Sequence, residues 1–234
     1  MNKGKQLSIA IPTYNRPEWT IRAFRQVHDD VRVKEIIIVD DCSHPNNCSI
    51  LTNLAFEYPK SKIIYEPKNV GVYKNKMRAV KHCTSDYVIL FDSDNILTTE
   101  YIDAVYKQEW RPDTILAPEF AKPHFDYRRF TGQTINRTNA KHFAFKPTFD
   151  CLANTMNFFV NREYFLAVWE AKDDIKGADS IYFFYRWLAA GFNVYITPEM
   201  QYEHTVHDGS YYQSVAHESG DVCKYYEKLI SQLR

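Results

Sequence analysis

The feature that most constrains this chain is the apolar run from Tyr87 to Phe91, which ends at two aspartates, Asp92 and Asp94. Such a run followed directly by charge indicates a strand that is buried on both faces and stops at a polar edge of its sheet. An unpaired buried carboxylate is costly, so the two aspartates imply a cation, and their hard oxygen atoms suit Mg²⁺ or Mn²⁺. The alternative is that both aspartates cap the helix that follows at Thr98, because acidic residues favour helix N-termini.

The composition is that of one folded domain. The chain has 234 residues, of which 45% are hydrophobic and 25% charged, and this is enough to bury one substantial core. Its formal net charge is zero, so the chain as a whole has no electrostatic footprint for nucleic acid or for an anionic membrane. We therefore expect a single domain over residues 1–234 that acts through a localised binding site and has no nucleic-acid partner.

Two further features indicate the compartment. No stretch approaches the ~20 apolar residues that a transmembrane helix needs, and the polar residues 1–6 lead directly into the first predicted strand. The five cysteines, at positions 42, 48, 83, 151 and 223, lack metal-ligand spacing and fit free thiols in a reducing environment. We expect a soluble, cytoplasmic protein.

The first hundred residues alternate between strand and helix patterns. Polar turns separate the predicted elements, which are strands over Leu7–Ile11, Glu35–Val39 and Ser61–Tyr65 and helices over Glu18–His28, Cys48–Tyr58 and Val72–Cys83. This alternation predicts an α/β fold with a doubly wound, mostly parallel sheet flanked by helices. Ligands of such sheets bind at the carboxyl ends of the strands.

The residues that directly follow the predicted strands should therefore meet at one edge. They are Thr13 to Arg16 after the first strand, Asp41 after the second, and Asp92 to Asp94 after the fourth. Lys76 and Arg78, near the start of a basic helix, could supply positive charge for a phosphate there, although a single lysine on such a helix usually lies on a solvated face. The cluster as a whole predicts a site for a phosphate-bearing ligand.

Four motifs at these positions resemble the nucleotide-sugar-binding half of the family 2 glycosyltransferases, which have the GT-A fold and an Asp-x-Asp metal motif. The motifs are Pro12–Arg16, Ile38–Ser43, Asn69–Gly71 and Phe91–Asn95. The resemblance implies a Rossmann-like nucleotide-binding half over about residues 1–97 and an irregular acceptor-binding half over about residues 98–234.

The resemblance also implies roles for individual residues. It implies that the donor is bound by Pro12, Thr13, Tyr14, Arg16, Asp41, Asn69, Gly71, Lys76, Asp92 and Ser93. It implies that Asp94 and Asp92 hold the metal ion together with a histidine, for which His204 is the better positional match and His207 the alternative. One departure is Asn75-Lys76-Met77, where the family often has Ala-Arg-Asn, so Lys76 replaces an arginine and loses its bidentate grip on phosphate.

The second half of the chain is less regular. Between a predicted strand at Asp113–Pro118 and another at Thr155–Val160, the stretch Glu119–Phe149 lacks clear periodicity, and we expect long loops that shape the acceptor pocket. Its aromatic residues are individually more typical of core packing than of sugar stacking. The remaining predicted elements are helices over Arg162–Ala171, Ile181–Ala190 and Asp221–Leu233 and a strand over Asn193–Thr197.

Asp179 stands at the start of one of these helices, where an acidic residue is usually a cap. Family 2 enzymes carry a Glu-Asp pair at this place, followed by an arginine, and the chain matches with Asp179 and Arg186. The resemblance therefore implies that Asp179 is the general base that removes the proton of the acceptor hydroxyl. Ala178 stands where the family has glutamate, so Asp173 and Asp174 remain rival candidates.

Together these features predict an enzyme. The resemblance implies a glycosyltransferase that moves a sugar from a nucleotide sugar, with UDP favoured over GDP and dTDP, to a hydroxyl of a glycan or other acceptor. The transfer would need Mn²⁺ or Mg²⁺ and would invert the anomeric carbon in one in-line displacement.

Three other classes fit the sequence less well. A nucleotidyltransferase is disfavoured because Pro12–Pro17 lacks a glycine-rich phosphate loop, and a glycoside hydrolase would use two carboxylates without a nucleotide. The runner-up is a non-catalytic nucleotide-sugar or carbohydrate-binding protein of the same fold, because the glutamate before Asp179 is missing and Met77 departs from the family pattern.

Overall fold

The computed structural model describes residues 4–170, 177–207 and 211–234 and confirms the α/β fold class. The first two helices each begin at a proline, whose fixed φ and missing N–H suit the first position of a helix. Strands and helices alternate through this half as predicted. They are β1 (Leu7–Thr13), α1 (Pro17–Phe24), β2 (Val33–Asp40), α2 (Pro45–Ala55), β3 (Ser61–Tyr65), α3 (Val72–His82), β4 (Tyr87–Leu90) and α4 (Thr99–Lys107).

The second half has shorter and less regular elements. The segment predicted as long loops contains two short strands and two 3-10 turns. Of the described helices, none is long and apolar enough to cross a lipid bilayer. The elements are β5 (Thr114–Lys122), β6 (Phe125–Asp126), β7 (Thr134–Ile135), α5 (Phe149–Ala153), β8 (Phe158–Asn161), α6 (Arg162–Val168), α7 (Asp179–Ala189), β9 (Asn193–Glu203) and α8 (Tyr211–Ser231).

The strands form one mixed sheet in the order β3-β2-β1-β4-β8-β5-β9-β7, with β6 paired to β5. β1 runs parallel to both β2 and β4, and β2 runs parallel to β3, as predicted for the first half. β8 is antiparallel to β4 and to β5, and it therefore joins the two halves of the sheet. β5 and β9 restore parallel pairing beyond it.

The first-half strands end at one edge of the sheet because they are parallel. β1 is buried along its whole length, and β2 is buried except at Lys34, as expected for strands covered on both faces. Pairing continues one residue past the strands: the Asp41 N–H donates to the Thr13 carbonyl oxygen at 2.9 Å, and the Phe91 N–H donates to that of Ala10 at 2.9 Å. The segments after β1, β2 and β4 therefore start side by side.

Aromatic side chains hold the irregular segment between β5 and α5 onto the core. Tyr127, Phe130 and Phe143 are buried, as the sequence predicted for most aromatic residues of this stretch. The rings of Phe130 and Phe143 lie 5.9 Å apart. Phe145 is the exception, because its side chain is 63% exposed. These buried aromatic side chains thus anchor the loops to the core, while the polar residues of the loops face solvent.

β5 and β9 extend beyond their predicted ends, and a buried glutamate explains why they can do so. The register between them shifts at Pro118 and Phe120, and Glu199 has a positive φ of 64°. The carboxylate of Glu119 accepts hydrogen bonds from the Glu199 N–H at 3.0 Å, the Gln201 amide at 2.9 Å and the Thr131 hydroxyl at 2.7 Å. Glu119 therefore replaces the hydrogen bonds that the bulge removes.

Replacing Glu119 should destabilise the protein. Glu119→Ala leaves three partly buried donors without their acceptor, and we expect the free energy of unfolding to fall by about 3 kcal/mol. Urea titration followed by far-UV circular dichroism measures the change. Glu109→Ala is the matched control, since Glu109 is exposed and should change the free energy by less than about 0.5 kcal/mol. Equal effects of the two variants would contradict this role of Glu119.

Candidate active site

The Asp92 and Asp94 carboxylates lie just beyond the buried end of β4. The Asp92 N–H donates to Asn157 Oδ1 at 2.7 Å, and the Asn157 amide donates back to Asp92 Oδ2 at 3.0 Å. The next helix, α4, is capped by Thr98, whose hydroxyl accepts from the Tyr101 N–H at 3.4 Å. The two aspartates are therefore not the caps of that helix and remain at the sheet edge.

Asp94 brings together the segments that follow β1 and β9. Its Oδ2 atom contacts the Arg16 guanidinium and lies 3.2 Å from His207 Nε2. The Trp19 ring stacks on the His207 ring, with 5.2 Å between centroids. Arg16, Asp94 and His207 therefore form one polar cluster against the side of α1.

Lys76 links Asp92 to Asp179. It lies on the inner side of α3 with Tyr73 and Val80, and only 4% of it is exposed, so it is not on the solvated face that is usual for such a lysine. Its Nζ atom lies 2.9 Å from Asp179 Oδ2 and 3.5 Å from Asp92 Oδ1. Burial by itself lowers the pKa of Lys76, but the Asp179 and Asp92 carboxylates outweigh it and raise that pKa above its ordinary value, so the amine stays charged.

Asp179 is the first residue of α7 and is buried. The capping position itself is Ala178, which offers no side-chain acceptor, while the Asp179 carboxylate is paired with Lys76. Asn154 holds the chain on both sides of Asp179, because its amide donates to the Gly177 carbonyl oxygen and its Oδ1 accepts from the Ile181 N–H, each at 3.2 Å. The rival acids at 173 and 174 lie outside the described residues.

Asp41 organises the loop that contains Asn69 to Gly71. Its two carboxylate oxygens accept the Val70 N–H at 2.8 Å and the Gly71 N–H at 2.9 Å, and the Asn69 amide donates to its carbonyl oxygen at 3.1 Å. Burial raises the pKa of Asp41, although these two N–H groups act in the opposite direction. A carboxylate has about four lone-pair sites, so Asp41 retains acceptor capacity for a ligand.

The segment after β1 forms an exposed turn beside this loop. Tyr14 is exposed, and Asn15 adopts a positive φ of 54°, where its Oδ1 accepts from the His44 N–H at 2.8 Å. Thr13 and Pro12 are buried strand residues, and Pro12 pairs in register with Val39 of β2. Of the residues predicted here, Tyr14 thus faces solvent, Arg16 is paired with Asp94, and Pro12 and Thr13 lie in the strand.

The two candidate histidines occupy different environments. His204 Nδ1 lies 2.9 Å from His124 Nδ1, whereas His207 contacts Asp94. Burial lowers the pKa of His204, and the neighbouring His124 lowers it further. The alternative candidate, His207, is therefore the histidine that the fold brings against the Asp-x-Asp pair.

The donor atoms at this edge fit a hard divalent cation. They are the carboxylate oxygens of Asp92 and Asp94 and the imidazole nitrogen of His207. Within the described ranges no three His, Cys, Asp or Glu side chains are gathered tightly enough to form a complete metal site. Mg²⁺ and similar ions are commonly held by one or two protein side chains, with water and substrate phosphates as the other ligands. Two protein ligands, Asp94 and His207, would therefore be enough.

Three residues of the site were not predicted from the sequence. Asn157 holds Asp92, Asn154 holds the start of α7, and Trp19 supports His207. Asn154 directly precedes the predicted strand Thr155–Val160 and Asn157 lies within it, but the sequence did not indicate that this strand pairs antiparallel with β4. Only this pairing carries Asn157 to the sheet edge.

Removing the Lys76 charge should destabilise the fold. Lys76→Met leaves two carboxylates without their cation, and removing one partner of a buried ion pair costs about 3–5 kcal/mol. The double variant Lys76→Met/Asp179→Asn should recover part of that loss, because one of the unpaired charges is then absent. Chemical denaturation at neutral pH measures all three proteins.

Lys81→Met is the control for this experiment, because Lys81 lies exposed on the same helix. It should change the free energy of unfolding by less than about 0.5 kcal/mol. A loss in Lys76→Met no larger than that of the control would mean that the buried ion pairs do not contribute to stability.

Solved glycosyltransferase structures share this fold. The mannosyltransferase PcManGT from Pyrobaculum calidifontis, in complex with GDP-Man and Mn²⁺, has a TM-score of 0.66 at 18% identity, over 89% of this chain and 59% of that one. Residues 1–349 of S. aureus TarS, in complex with UDP-GlcNAc, have a TM-score of 0.68 at 15% identity, over 97% of this chain and 67% of that one. These likenesses establish the GT-A architecture.

Curated relatives match shorter stretches. A dolichyl-phosphate beta-glucosyltransferase of Trichomonas vaginalis is 28% identical over 74 residues, which are 32% of this chain and 22% of the relative. The glycosyltransferase GlyG of Streptococcus pneumoniae is 22% identical over 111 residues, which are 46% of this chain and 36% of the relative. The chain therefore matches only about a fifth to a third of the length of these relatives.

The family itself follows from a longer match. The sequence model of glycosyl transferase family 2 matches residues 8–165, which is more than half of the chain. This stretch contains all four motifs and the segments after β1, β2 and β4, and it ends before Asp179 and His207. This chain belongs to glycosyl transferase family 2.

Proposed function

We propose that this chain is a nucleotide-sugar-dependent glycosyltransferase that transfers a sugar to a hydroxyl of a glycan or other acceptor. A UDP-sugar is the favoured donor, the reaction uses Mn²⁺ or Mg²⁺, and the anomeric carbon is inverted. The GDP-Man and UDP-GlcNAc complexes of the two structural neighbours support a nucleotide-sugar donor, and the Mn²⁺ of the first supports a divalent ion.

One observation carries the proposal. The carboxylates of Asp92 and Asp179, from opposite halves of the chain, lie within salt-bridge distance of the same Lys76 nitrogen. Asp94, two residues from Asp92, contacts a guanidinium and an imidazole. Asp92 and Asp94 suit the binding of a diphosphate with its cation, and Asp179 suits removal of a proton. These groups lie close together, as sugar transfer to a hydroxyl requires.

The first requirement is to stabilise the leaving group. A nucleoside diphosphate departs with additional negative charge. Asp94 and His207, beside Asp92, would hold a divalent ion, which would supply Lewis-acid stabilisation of that charge. Arg16 and Lys76 add fixed positive charge at the same edge. Asp41 and the Asn69 to Gly71 loop lie on the nucleoside side, where Asp41 can accept from a base N–H.

The second requirement is to activate the acceptor hydroxyl, which is a weak nucleophile near neutral pH. Asp179 is the candidate base. Lys76 holds its Oδ2 atom, and no hydrogen bond to its Oδ1 atom occurs among the described residues, so Oδ1 can take the proton. Transfer with one base and no covalent intermediate on the protein is a single displacement and therefore inverts the anomeric carbon.

A second candidate function is binding of a nucleotide sugar without transfer. The buried Lys76 and Asp179 pair favours it, because a buried carboxylate paired with a lysine also suits a structural role. In addition, Ala178 replaces the acidic neighbour that the family resemblance implies. Slow release of UDP from a UDP-sugar without acceptor would support an enzyme. Tight binding without any turnover would support the binding protein.

The first prediction concerns the metal ion. UDP with Mn²⁺ should raise the melting temperature of the wild type, since a ligand at a hundred times its Kd adds about 2.7 kcal/mol to the free energy of unfolding. Asp94→Ala should abolish the part of the shift that depends on Mn²⁺. His207→Ala should weaken it more than His204→Ala, because His207 is the histidine that contacts Asp94.

Asp103→Ala is the control for the loss of a carboxylate, because the Asp103 side chain is 50% exposed and pairs with Arg32, which belongs to none of the four motifs. It should leave the Mn²⁺-dependent shift unchanged. If Asp94→Ala kept that shift while Asp103→Ala also kept it, the metal would have to bind elsewhere.

The second prediction separates chemistry from donor binding at Asp179. Asp179→Asn keeps an oxygen that can accept from Lys76 but removes the proton acceptor, so single-turnover rates should fall by roughly 10²–10⁴-fold. UDP affinity, measured by titration calorimetry, should change little. A structural role predicts the reverse, with near-normal turnover of the folded variant and a lower melting temperature. Wild-type turnover in Asp179→Asn would move the search to Asp173 and Asp174.

A further inference from the structure

The irregular segment after β6 carries a charge imbalance that the neutral total hides. Residues 127–149 contain five Lys and Arg residues and no Asp or Glu, whereas the whole chain has 29 of each kind. The five are exposed. Only Arg128 is paired, with Asp126 at 2.6 Å, and the described parts of the chain provide no salt bridge for the others. We call the exposed surface of the other four the basic face: Arg129, Arg137, Lys141 and Lys146.

The two ends of this segment are held together in space. The Arg129 guanidinium lies 5.5 Å from the Phe130 ring centroid, and Lys146 Nζ lies 5.2 Å from that of Phe143. The two rings are 5.9 Å apart, and Arg129 also donates to the Pro147 carbonyl oxygen at 3.4 Å. Arg129 and Lys146, near the two ends of the segment, thus pack on the same pair of buried aromatic rings.

Phe145 projects from the same surface. It is 63% exposed and has a positive φ of 64°, which is unusual for a bulky residue. The buried Glu227 carboxylate of α8 accepts the Phe145 N–H at 2.6 Å and so fixes this backbone. An apolar side chain is therefore held outward among cations by a buried carboxylate.

We propose that the basic face docks on an anionic lipid surface, with Phe145 entering the headgroup region. Lysine and arginine are attracted to anionic headgroups, and an exposed aromatic ring gains by leaving water at the interface. A soluble polyanion would engage the cations, but it would gain little from a projecting phenylalanine. The combination of unpaired cations and one outward ring favours the lipid surface.

The location of the basic face connects it to the candidate base. The segment leads directly into α5, and Asn154 at the end of α5 bonds to the residues on both sides of Asp179. A surface bound there lies one short helix away from the start of α7. This geometry favours an acceptor hydroxyl carried by a lipid, and this part of the inference rests on the proposed function.

Vesicle flotation tests the docking without any sugar transfer. The full chain should float with vesicles of phosphatidylcholine and phosphatidylglycerol in equal parts, and not with phosphatidylcholine alone, and added salt should weaken binding. Arg129→Gln/Lys141→Gln/Lys146→Gln should weaken partitioning roughly 100-fold, since each cation contributes about fivefold. Phe145→Asn should weaken partitioning roughly tenfold. Asparagine is chosen because it tolerates the positive φ at this position.

Matched variants exist elsewhere on the surface. Lys34→Gln/Lys68→Gln/Lys81→Gln removes three exposed charges, and Phe56→Asn removes a ring that is 90% exposed. Both should float like the wild type. Failure of the wild type to float with the anionic vesicles, or equal losses in the two triple variants, would overturn the proposal. So would binding to heparin with no binding to vesicles, which would indicate a soluble polyanion.

The UDP and Mn²⁺ thermal shift, measured on the same proteins, keeps the two proposals apart. The basic-face variants should retain that shift, because none of their residues belongs to the donor site. Flotation without a UDP shift would support docking and count against the proposed transferase. A UDP shift without flotation would leave the donor site intact and reject the lipid surface.

Discussion

The structure depends most on a buried ammonium. Lys76 has two carboxylate partners, one after β4 and one at the start of α7, and its burial is tolerable only because both are present. This pairing fixes α3 against the end of the parallel strands and fixes the second half of the chain against the first. A lysine suits the position as a compact point charge, whereas the arginine common in the family would present a planar fork.

Around this ion pair, neighbouring residues hold the other polar groups of the candidate site in place. Asn157 holds Asp92, Trp19 supports His207, and the N–H groups of Val70 and Gly71 hold Asp41. Each supporting residue comes from an element different from that of the group it positions. The candidate site is thus preorganised by the meeting of separate loops at one sheet edge, which is the usual location for ligands of such sheets.

Local sequence patterns determined the first half and only part of the second. The apolar runs of β1, β2 and β4 predicted both the parallel sheet and the convergence of Asp41, Asp92 and Asp94, because strand period and chain order suffice for that inference. The burial of the Lys76 side chain and the contact of His207 with Asp94 depend on residues far away in sequence, so no local pattern could reveal them. The net charge of zero concealed the run of cations in residues 127–149, and the packing of Arg129 and Lys146 on buried rings depends on the folded structure.

The separation between Lys76 and Asp179, 103 residues, has a consequence for synthesis and for dissection of the protein. While the chain emerges from the ribosome, the parallel strands β1 to β4 are complete long before the second counter-charge exists. Until α7 arrives, the lysine has Asp92 as its one carboxylate partner, and the inner side of α3 would have to admit water. The first half of the chain is therefore not an independent folding unit, and it should reach its final packing only when the second half has been made.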